Sequence, residues 1–462
     1  MEITVECRKL FYKCKPFLLS VFLVCTLTMQ ARADRLLSGP MVGHTTSSSA
    51  TIWVETDAPA EVRVHYWGDA GSDPAGTGTA TGRTSDSAPH TGVITLDDLS
   101  GFHTIQYEIE IDGEMIRPGT PQVFSMLPGG EEGGTANFSF AFASCAAPNS
   151  EPGQPVWAQA SLYRPDFFMM IGDNNYMPNH PGAYETTEET VSYVMSRTHR
   201  SLRDVYNLRT LLATTPTYSI WDDHDYGPNN ADRSFRWRDL SLDMFSRYWA
   251  NPGAGTDDTP GVFYSFRVAD VEFFMLDDRY YRDPEYSTML GEGQLAWLRE
   301  EMAQSTATFK VLVNGHVMLA DKRNNSEYWA QYGNERDSFF DWMYEEEING
   351  VFFLSGDWHV GSLVRLEYTR EGYPLYELIS SNAARPALNP LNTPDRGRQV
   401  GGHNRSFSGP IVNDVRDFNF GMVTFSGGVG NRTATLQVID YKGEVRIEHV
   451  LTEQDLSPDW NR

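Results

Sequence analysis

The chain has 462 residues, a formal net charge of −25 at pH 7 and a hydrophobic share of 40%. The length favours two domains, because single hydrophobic cores stop growing at about 250–300 residues, and the apolar share argues against a disordered chain. A strongly acidic surface repels nucleic acid and anionic membranes, so we expect neither as a partner attracted by charge.

Residues 1–33 are predicted to be a signal peptide. A basic region at residues 8–15 precedes an apolar stretch, Phe17–Met29, which is short for a membrane span. Ala31-Arg32-Ala33 then fits the small-x-small rule for cleavage. We therefore expect a periplasmic or secreted protein without a stable membrane span, and an uncleaved anchor is the alternative.

Only Cys145 remains after the predicted cleavage, since the other three cysteines lie within the first 33 residues. A single thiol excludes an internal disulfide. In an exported protein, a lone cysteine suggests a metal ligand or a reactive thiol. The alternative is a buried side chain that acts as a small hydrophobic residue.

Residues 34–130 are predicted to form a β-sandwich of the immunoglobulin or fibronectin type. Residues 49–58 and 60–68 alternate apolar and polar side chains at the period of a strand, and residues 103–114 do so around an Asp112-Gly113 turn. A glycine-rich linker, Leu127–Thr135, follows and indicates a domain boundary. The second domain is expected over residues 136–462.

From Asn137 onward, apolar runs of strand length alternate with segments of helical spacing, which predicts an α/β domain. The predicted strands are one that ends at Cys145 and others at 166–171, 217–221, 271–276, 309–313 and 351–354. The predicted helices are 155–163, 187–204, 240–249, 293–303 and 336–344. An irregular polar stretch, 384–417, precedes a closing hairpin with its turn at Asp440–Gly443.

Side chains that can bind metal follow six of the predicted strands. Ligands of open α/β sheets bind outside the carboxyl ends of the strands, so we expect these side chains to converge. They are Cys145; Asp173 and Tyr176; Asp222, Asp223, His224 and Asp225; Asp277, Asp278 and Arg279; Asn314 and His316; and Asp357 and His359.

A thiolate, a carboxylate, a phenolate and an imidazole make a shell suited to a transition metal, and the phenolate favours Fe³⁺. Asp223 and Asp357 are candidates for a second ion of the Ca²⁺, Mg²⁺ or Mn²⁺ kind, with a bridging carboxylate between the two ions. The residues of the first shell are Cys145, Asp173, Tyr176 and His359, and Asp173 is the expected bridge.

Two ions about 3.5–4 Å apart would clamp the attacking and leaving oxygens of an in-line phosphoryl displacement, with a metal-bound hydroxide as nucleophile. His224 is expected to stabilise or protonate the leaving oxygen, and Arg279 to hold phosphate oxygens in a fork. Four neighbouring carboxylates are interpreted as caps or as acceptors for backbone N–H groups at turns. They are Asp222, Asp225, Asp277 and Asp278.

These motifs resemble those of the PhoD-type alkaline phosphatases, which belong to the calcineurin-like metallophosphatase superfamily. Singly the strings are short, but their order, with each one after an apolar strand, is specific. The matching strings are FASC (142–145), GDNNY (172–176), WDDHDYGPNNAD (221–232), LDDRYYRD (276–283), LGEGQLAWL (290–298), SGDWH (355–359) and YELISS (376–381).

The resemblance implies a four-layer α/β/β/α metallophosphatase core behind the β-sandwich. It implies an enzyme that hydrolyses small phosphomonoesters, and often phosphodiesters, at alkaline pH. It also implies Fe³⁺ held by Cys145, Asp173, Tyr176 and His359, and Ca²⁺ held by Asp173, Asp223 and Asp357 with help from Asn229 or Asn230. The related purple acid phosphatases would need an Asp, a GNH and a GHxH where this chain has ASC, DDH and GDWH.

One residue departs from the resemblance. His316 stands in VNGHV, where PhoD-type chains often carry Gln. We expect its imidazole to bind the second ion and to change that ion from calcium toward a transition metal. Two alternative functions stay open. One is a dedicated phosphodiesterase or phospholipase on the same core, and the other is a non-catalytic binding protein.

Overall fold

The computed structural model describes residues 35–69, 76–129, 134–148, 153–320, 328–368, 372–385, 406–408 and 415–457. Residues from Leu36 onward form one compact unit. The predicted signal peptide lies outside the described residues, so it stays a prediction. None of the described helices has the length and apolar character needed to cross a membrane.

The first strands of the chain form two antiparallel sheets. They are β1 (Leu36–Thr45), β2 (Ala50–Thr56), β3 (Glu61–Asp69), β4 (Thr77–Arg83), β5 (His90–Leu96), β6 (Thr104–Ile111), β7 (Glu114–Ile116) and β8 (Val123–Ser125). One sheet has the order β1-β2-β5, and the other has β4-β3-β6-β7 with β8 also paired to β6. We call this segment, residues 36–125, the front module.

The alternating sequence of β6 explains how the front module builds its core. Every second side chain of TIQYEIEI is buried, as the two-residue period of a strand requires. One buried cluster joins side chains of both sheets, among them Ile52 and Ile94 from the first and Val64 and Ile109 from the second. The strands predicted in this segment are therefore confirmed.

The remaining strands are β9 (Phe138–Ala143), β10 (Phe167–Ile171), β11 (Thr217–Ile220), β12 (Tyr264–Val268), β13 (Val271–Met275), β14 (Phe309–Asn314), β15 (Val351–Ser355), β16 (Gly361–Glu367), β17 (Leu375–Ser380), β18 (Ser406–Ser408), β19 (Asn419–Ser426), β20 (Thr433–Asp440) and β21 (Val445–Thr452). The helices are α1 (Pro155–Tyr163), α2 (Glu188–Arg203), α3 (Tyr206–Thr214), α4 (Asp223–Tyr226), α5 (Arg238–Tyr248), α6 (Gly291–Gln304) and α7 (Gly333–Glu345). Two 3₁₀ turns lie at Pro181–Ala183 and Trp329–Tyr332.

These strands form two mixed sheets. The first has the order β11-β10-β9-β19-β20-β21, and the second has β12-β13-β14-β15-β17-β16-β18. Within the first, β9, β10 and β11 run parallel, and within the second β13, β14, β15 and β17 do. In each sheet the carboxyl ends of the parallel strands therefore share one edge.

Phenylalanine rings join the two sheets. The Phe140 ring of β9 meets Phe273 of β13 edge to face at 5.2 Å, and Phe309 of β14 lies 5.4 Å from Phe425 of β19. All four side chains are nearly or fully buried. Offset and edge-to-face contacts are the favoured geometries for aromatic pairs, so this layer fixes one sheet against the other.

Buried and partly buried hydrogen bonds hold the front module against the helices. Trp53 Nε1 donates to the Arg247 carbonyl at 2.7 Å, and Tyr107 OH donates to the Ala213 carbonyl at 2.9 Å. The Arg200 guanidinium grips Glu55 with two bonds, of 3.1 and 2.6 Å. Helices α2, α3 and α5 are thereby fixed to the module.

Most of the predicted elements of the second half are present within a few residues of their predicted bounds, and α1 has the same bounds. Several elements were not predicted, namely α3, α4, β12, β16, β17 and β18. Short elements such as four-residue α4 carry too few residues for a periodic pattern. β18 lies inside the stretch predicted as irregular, where it pairs with β16.

Candidate metal centre

Three predicted ligands from three strand ends meet in one buried cluster. Ligand atoms of Cys145, Asp173 and His359 all lie within 4.8 Å of one another. Cys145 Sγ is 3.7 Å from Asp173 Oδ2, and Tyr176 OH donates to the same oxygen at 3.0 Å. The structure therefore brings together the sulfur, oxygen and nitrogen donors that the sequence placed in the first shell.

The backbone turns sharply at these ligands. Cys145, Asp173, Asp357 and His359 have φ angles of +58°, +49°, +65° and +54°, in the left-handed region that non-glycine residues rarely adopt. Residues held in this region cluster at functional sites.

Gly172 lets the ligand loops approach one another closely. Its φ is +97°, and a Cβ there would lie 2.8 Å from the Asp222 Cβ and 3.1 Å from the Gly315 Cα. The Cys145 N–H donates to the Gly172 carbonyl at 3.2 Å, which links the first loop to the second. A side chain at position 172 would separate these loops.

A second cluster adjoins the first and shares one of its residues. Ligand atoms of Asp173, Asp223 and His224 lie within 4.8 Å of one another. The His224 ring contacts the Tyr176 ring at 4.3 Å between centroids. Asp223 accepts the Asn230 N–H at 2.6 Å. Asp173 is therefore the residue that the two clusters share.

Asn229 and Asn230 differ in their contacts. The Asn229 side chain is exposed and donates to Asn230 Oδ1, and its backbone N–H donates to Asn179 Oδ1 at 3.0 Å. The structure thus gives Asn230 a direct contact with Asp223 and directs the Asn229 amide to its neighbour.

Asp225 supports the loop that carries Asp173 and Tyr176. Its carboxylate accepts from the backbone N–H of Asn174 at 3.2 Å and of Asn175 at 3.0 Å, and it closes a capping box with Asp222 at the start of α4. The interpretation of Asp222 and Asp225 as caps is confirmed. The Asp225 carboxylate therefore both caps α4 and supports the loop that carries Asp173 and Tyr176.

A third cluster joins the ends of β11, β14 and β15. It contains ligand atoms of Asp222, His316 and Asp357 within 4.8 Å of one another. His316 Nδ1 is 2.6 Å from Asp222 Oδ2, and its Nε2 is 3.9 Å from Asp357 Oδ2. The structure thus places Asp357 beside Asp222 and His316, whereas the sequence paired it with Asp223.

Arg279 belongs to this third cluster. Its guanidinium is fully buried, with Nε 2.7 Å from Asp222 Oδ1 and a terminal nitrogen 2.8 Å from His316 Nε2. In this position the side chain faces a carboxylate and an imidazole, not the open phosphate pocket expected from the sequence. The cluster therefore contains its own cation.

Asp277 and Asp278, next to Arg279, accept backbone N–H groups as predicted. Asp277 accepts from Val262, Arg279 and Tyr280 at 2.9–3.0 Å, and Asp278 accepts from His316 at 2.8 Å. These bonds fix the loop after β13. They explain why two adjacent carboxylates can be buried at this strand end.

Burial and crowding of negative groups dominate the electrostatics of the first cluster. Desolvation, and then the charge of Asp223, hold the pKa of Asp173 well above its usual range. Desolvation and the Asp173 charge likewise raise the pKa of the Cys145 thiol and of the Tyr176 phenol. These groups are therefore difficult to ionise together without a compensating cation.

The pKa values of His224 and His316 are shifted in opposite directions. Burial lowers the pKa of His224, although the charges of Asp223 and Asp222 oppose that effect. Burial alone would also lower the pKa of His316, but the neighbouring Asp222 and Asp357 charges outweigh it and the net pKa is raised. The charges of the acidic neighbours thus outweigh the effect of burial on the pKa of His316 but not on the pKa of His224.

The first two clusters fit metal ions better than the third. Among the described residues, no Lys or Arg lies within 4.0 Å of the Asp173 or Asp223 carboxylate, whereas Arg279 offsets Asp222 in the third cluster. Their sulfur, oxygen and nitrogen donors suit a transition metal beside a hard cation. Positive ions there would relieve the crowding that raises the pKa values.

Sequence reasoning missed two residues. Asp222 was interpreted only as a cap, yet it also pairs with Arg279 and His316. Its place beside Asp223 at a strand end was the available signal. Arg385 lies 5.0 Å over the Tyr176 ring, and its position inside the stretch predicted to be irregular, 384–417, gave no signal.

Comparisons with known proteins agree with this geometry. A family model described as PhoD-like phosphatase matches residues 140–427, and a model of a domain of unknown function matches residues 33–127. Alkaline phosphatase D of Bacillus subtilis (strain 168) is 22% identical over 320 residues, which are 59% of this chain and 54% of that protein. A serine/threonine-protein phosphatase of Pongo abelii is 29% identical over 141 residues, or 30% of this chain and 35% of that protein. The chain spans about half the length of the first relative and about a third of the second.

Two solved structures share the fold. A structure of PhoD superposes with a TM-score of 0.68 at 16% identity, covering 91% of this chain and 90% of that one. A purple acid phosphatase from yellow lupin seeds gives 0.62 at 12% identity, covering 89% and 74%. The mixed α/β architecture with several sheets is common to all three. Because the PhoD-like phosphatase model spans more than half of the chain, the protein belongs to the PhoD-like phosphatase family.

Proposed function

We propose that the protein is a metal-dependent phosphoesterase that hydrolyses small phosphomonoesters at alkaline pH and accepts phosphodiesters as a second class. The observation that carries the proposal is Asp173, whose carboxylate belongs both to the cluster with Cys145 and His359 and to the cluster with Asp223 and His224. Two-metal phosphoryl transfer needs ions about 3.5–4 Å apart, and a shared carboxylate between two ligand sets supports that spacing.

The donor types support two different ions. We assign Fe³⁺ to the sulfur- and phenol-containing set, and Ca²⁺ or another divalent ion to the set around Asp223. Asp357 and an oxygen of Asn229 or Asn230 would complete the set of ligands that binds the second ion. The members of the first set are Cys145, Asp173, Tyr176 and His359.

When bound, such ions acidify a water nucleophile and offset the charge of the phosphoryl oxygens. Residues of the chain position the imidazole that faces the leaving oxygen and the buried side chains beside the metal clusters. The His224 ring contacts the Tyr176 ring, and the His224 backbone N–H donates to Asp173 Oδ1 at 3.4 Å. We assign the imidazole to the leaving oxygen. Arg279 acts through Asp222 and His316, which it holds in place.

The wider organisation is part of the proposal. We propose an exported protein with a signal peptide over residues 1–33, a β-sandwich over 34–130 and a four-layer catalytic domain over 136–462. The two-sheet front module and the phenylalanine layer between the two larger sheets support this division. The hydrogen bonds at Glu55 and Trp53 support direct packing of the β-sandwich against helices of the catalytic domain.

The test is hydrolysis of 4-nitrophenyl phosphate by the purified mature chain from pH 6 to 11, before and after a chelator. We expect alkaline turnover that is lost on chelation and restored by calcium, with iron found by elemental analysis. Asp173→Asn should lower kcat/KM by more than about a hundredfold, because it removes the shared ligand. Asp243→Asn, on the exposed face of α5, is the matched control and should not change it.

Bis(4-nitrophenyl) phosphate distinguishes the alternatives. Higher kcat/KM for the diester than for the monoester would favour a dedicated phosphodiesterase. Lack of turnover of both esters by metal-replete protein would refute the enzyme proposal and leave a binding protein. The complete ligand set around Asp173 argues against that last outcome.

A further inference from the structure

A cavity of about 450 Å³ opens beside Tyr176 and lies within the size range of small-molecule sites. Helix α2, the segment after Cys145 and the segment after β17 all contribute lining residues. The lining includes Arg197, Thr198, Ser201, Tyr176, Arg385 and Pro148. Of the predicted metal ligands, only Tyr176 reaches it, so the cavity adjoins the centre without being part of it.

Two arginines without acidic partners share this cavity. Among the described residues, no carboxylate lies within 4.0 Å of Arg197 or Arg385, and both side chains are exposed. Other arginines of the chain are ion-paired, including Arg200 with Glu55 and Arg233 with Asp283. In a chain with 62 acidic and 37 basic residues, two uncompensated cations on one cavity form a local positive site.

The two arginines, and not the hydroxyl groups, are the groups available to bind an anionic ligand. The Thr198 hydroxyl donates to the Val194 carbonyl at 2.9 Å, and the Ser201 hydroxyl donates to the Thr198 carbonyl at 2.7 Å. These hydroxyls already use their protons inside the helix. Among the described residues, the contacts of the Arg197 and Arg385 guanidinium groups are the Tyr193 and Tyr176 rings, at 6.0 and 5.0 Å, so their N–H donors are open to an anion.

We infer that this cavity binds a second anionic group of the substrate, carried by the alcohol that leaves. The inference rests on the proposed function, which places the reacting phosphoryl group at the clusters that share Asp173. A leaving group that extends past Tyr176 would bring a carboxylate or a further phosphate to Arg385 and Arg197. The preferred substrates are therefore phosphomonoesters of negatively charged alcohols.

A matched pair of substrates tests this preference. The first is 4-carboxyphenyl phosphate, and the second is 4-carbamoylphenyl phosphate, which has nearly the same shape without the second charge. We expect the wild-type protein to show about tenfold or higher kcat/KM for the carboxylate, as a charge-assisted bond to arginine should give. The measurement uses the full mature chain loaded with metal.

Variants connect the preference to the cavity. In the double variant Arg197→Ala/Arg385→Ala, the ratio of the two kcat/KM values should fall to about one, because both charges are gone. The ratio cancels any effect that is common to both substrates. Arg63→Ala removes one exposed positive charge from strand β3 of the front module and should leave the ratio unchanged.

A binding measurement separates this inference from the proposed function. Calorimetry with 4-carboxybenzylphosphonate and 4-carbamoylbenzylphosphonate needs no turnover. Tighter binding of the carboxylate that is lost in the double variant supports the cavity assignment, even if no ester is hydrolysed. Equal binding of the two phosphonates by the wild-type protein, or a preference that survives in the double variant, overturns it.

Discussion

The Arg279 guanidinium lies against the Asp222 carboxylate, with Nε 2.7 Å from Oδ1 and neither side chain more than 1% exposed. His316 completes the group, because its Nδ1 approaches the second oxygen of Asp222 at 2.6 Å. One cation thus serves both a carboxylate and an imidazole at the junction of two sheets. Removing it would leave a buried negative charge beside the metal clusters.

Arg279→Met should therefore lower the free energy of unfolding by about 3–5 kcal/mol, since breaking a buried pair leaves its partner uncompensated. Denaturant unfolding of the metal-free protein measures the change. Arg233→Ala breaks the more exposed pair with Asp283 and should cost less than about 1 kcal/mol. Adding Asp222→Asn to Arg279→Met should recover part of the loss, and strictly additive effects would contradict the pairing.

Cys145→Ser should separate the two proposed metals. The thiol belongs only to the cluster with His359, so we expect bound iron to fall by about tenfold or more while calcium binding is largely kept. Tyr176→Phe should act in the same direction. Elemental analysis after dialysis gives both values.

Tyr286→Phe is the matched control for the phenol, because the Tyr286 side chain is 75% exposed. Its metal content should equal that of the wild-type protein. Parallel loss of both metals in Cys145→Ser would show that the thiol supports the whole centre, against the proposed division.

Glu55→Gln should weaken the anchoring of the front module. The side chain accepts two bonds from Arg200 and one of 3.0 Å from Tyr248, and it is almost fully buried. Loss of its charge should cost about 1.5–3 kcal/mol in denaturant unfolding, as for other hydrogen bonds to charged groups. Glu61→Gln, which alters an exposed pair with Arg63, should change stability by less than about 1 kcal/mol.

Lys310 should make the protein more stable as the pH rises. Burial lowers the pKa of this amine to about 8, and its ammonium is held by the carbonyls of Ala307 and Asn349. In the unfolded chain the pKa is about 10.4, so between pH 8 and 10.4 the unfolded state binds more protons and unfolding becomes less favourable with rising pH. The destabilisation that results from burying the ammonium form of Lys310 is fully present below pH 8 and has disappeared above about pH 10.4.

Over that interval the contribution of Lys310 to the unfolding free energy should rise by about 3 kcal/mol. Urea unfolding at pH 7, 8, 9 and 10 measures the slope. Lys310→Met should remove this contribution, whereas Lys442→Met, at an exposed turn, should keep it. Identical pH slopes for the Lys310→Met and wild-type proteins would refute the assignment.

Short-range sequence patterns were enough to predict most strand ends and the contents of the first cluster. The apolar runs before Cys145, Asp173 and His359 identify buried strands, and parallel strands bring their carboxyl ends to one edge. The buried strands can be recognised from neighbouring residues, and their parallel pairing from general rules of sheet topology. The place of Asp173 between two ligand sets follows from the same pattern.

The contacts of Arg279 could not be predicted in this way. Its partners Asp222 and His316 are 57 and 37 residues away in the chain, and only the packing of the two sheets brings them together. A strand-end arginine was therefore expected to face substrate, as isolated motifs suggest. The interaction of Arg385 with Tyr176 depends on tertiary packing in the same way.

The left-handed turns at Cys145, Asp173, Asp357 and His359 affect any attempt to transplant the centre. At an ordinary extended strand end, the same four side chains would leave the backbone in other directions and would not converge. A designer would have to transfer the four left-handed turns together with Gly172, which lets the loops pack closely. The backbone conformation at each turn is as necessary for metal binding as the donor atom is. The recipient scaffold would also need enough stability to tolerate about 1–2 kcal/mol of backbone strain at each turn before any metal is bound.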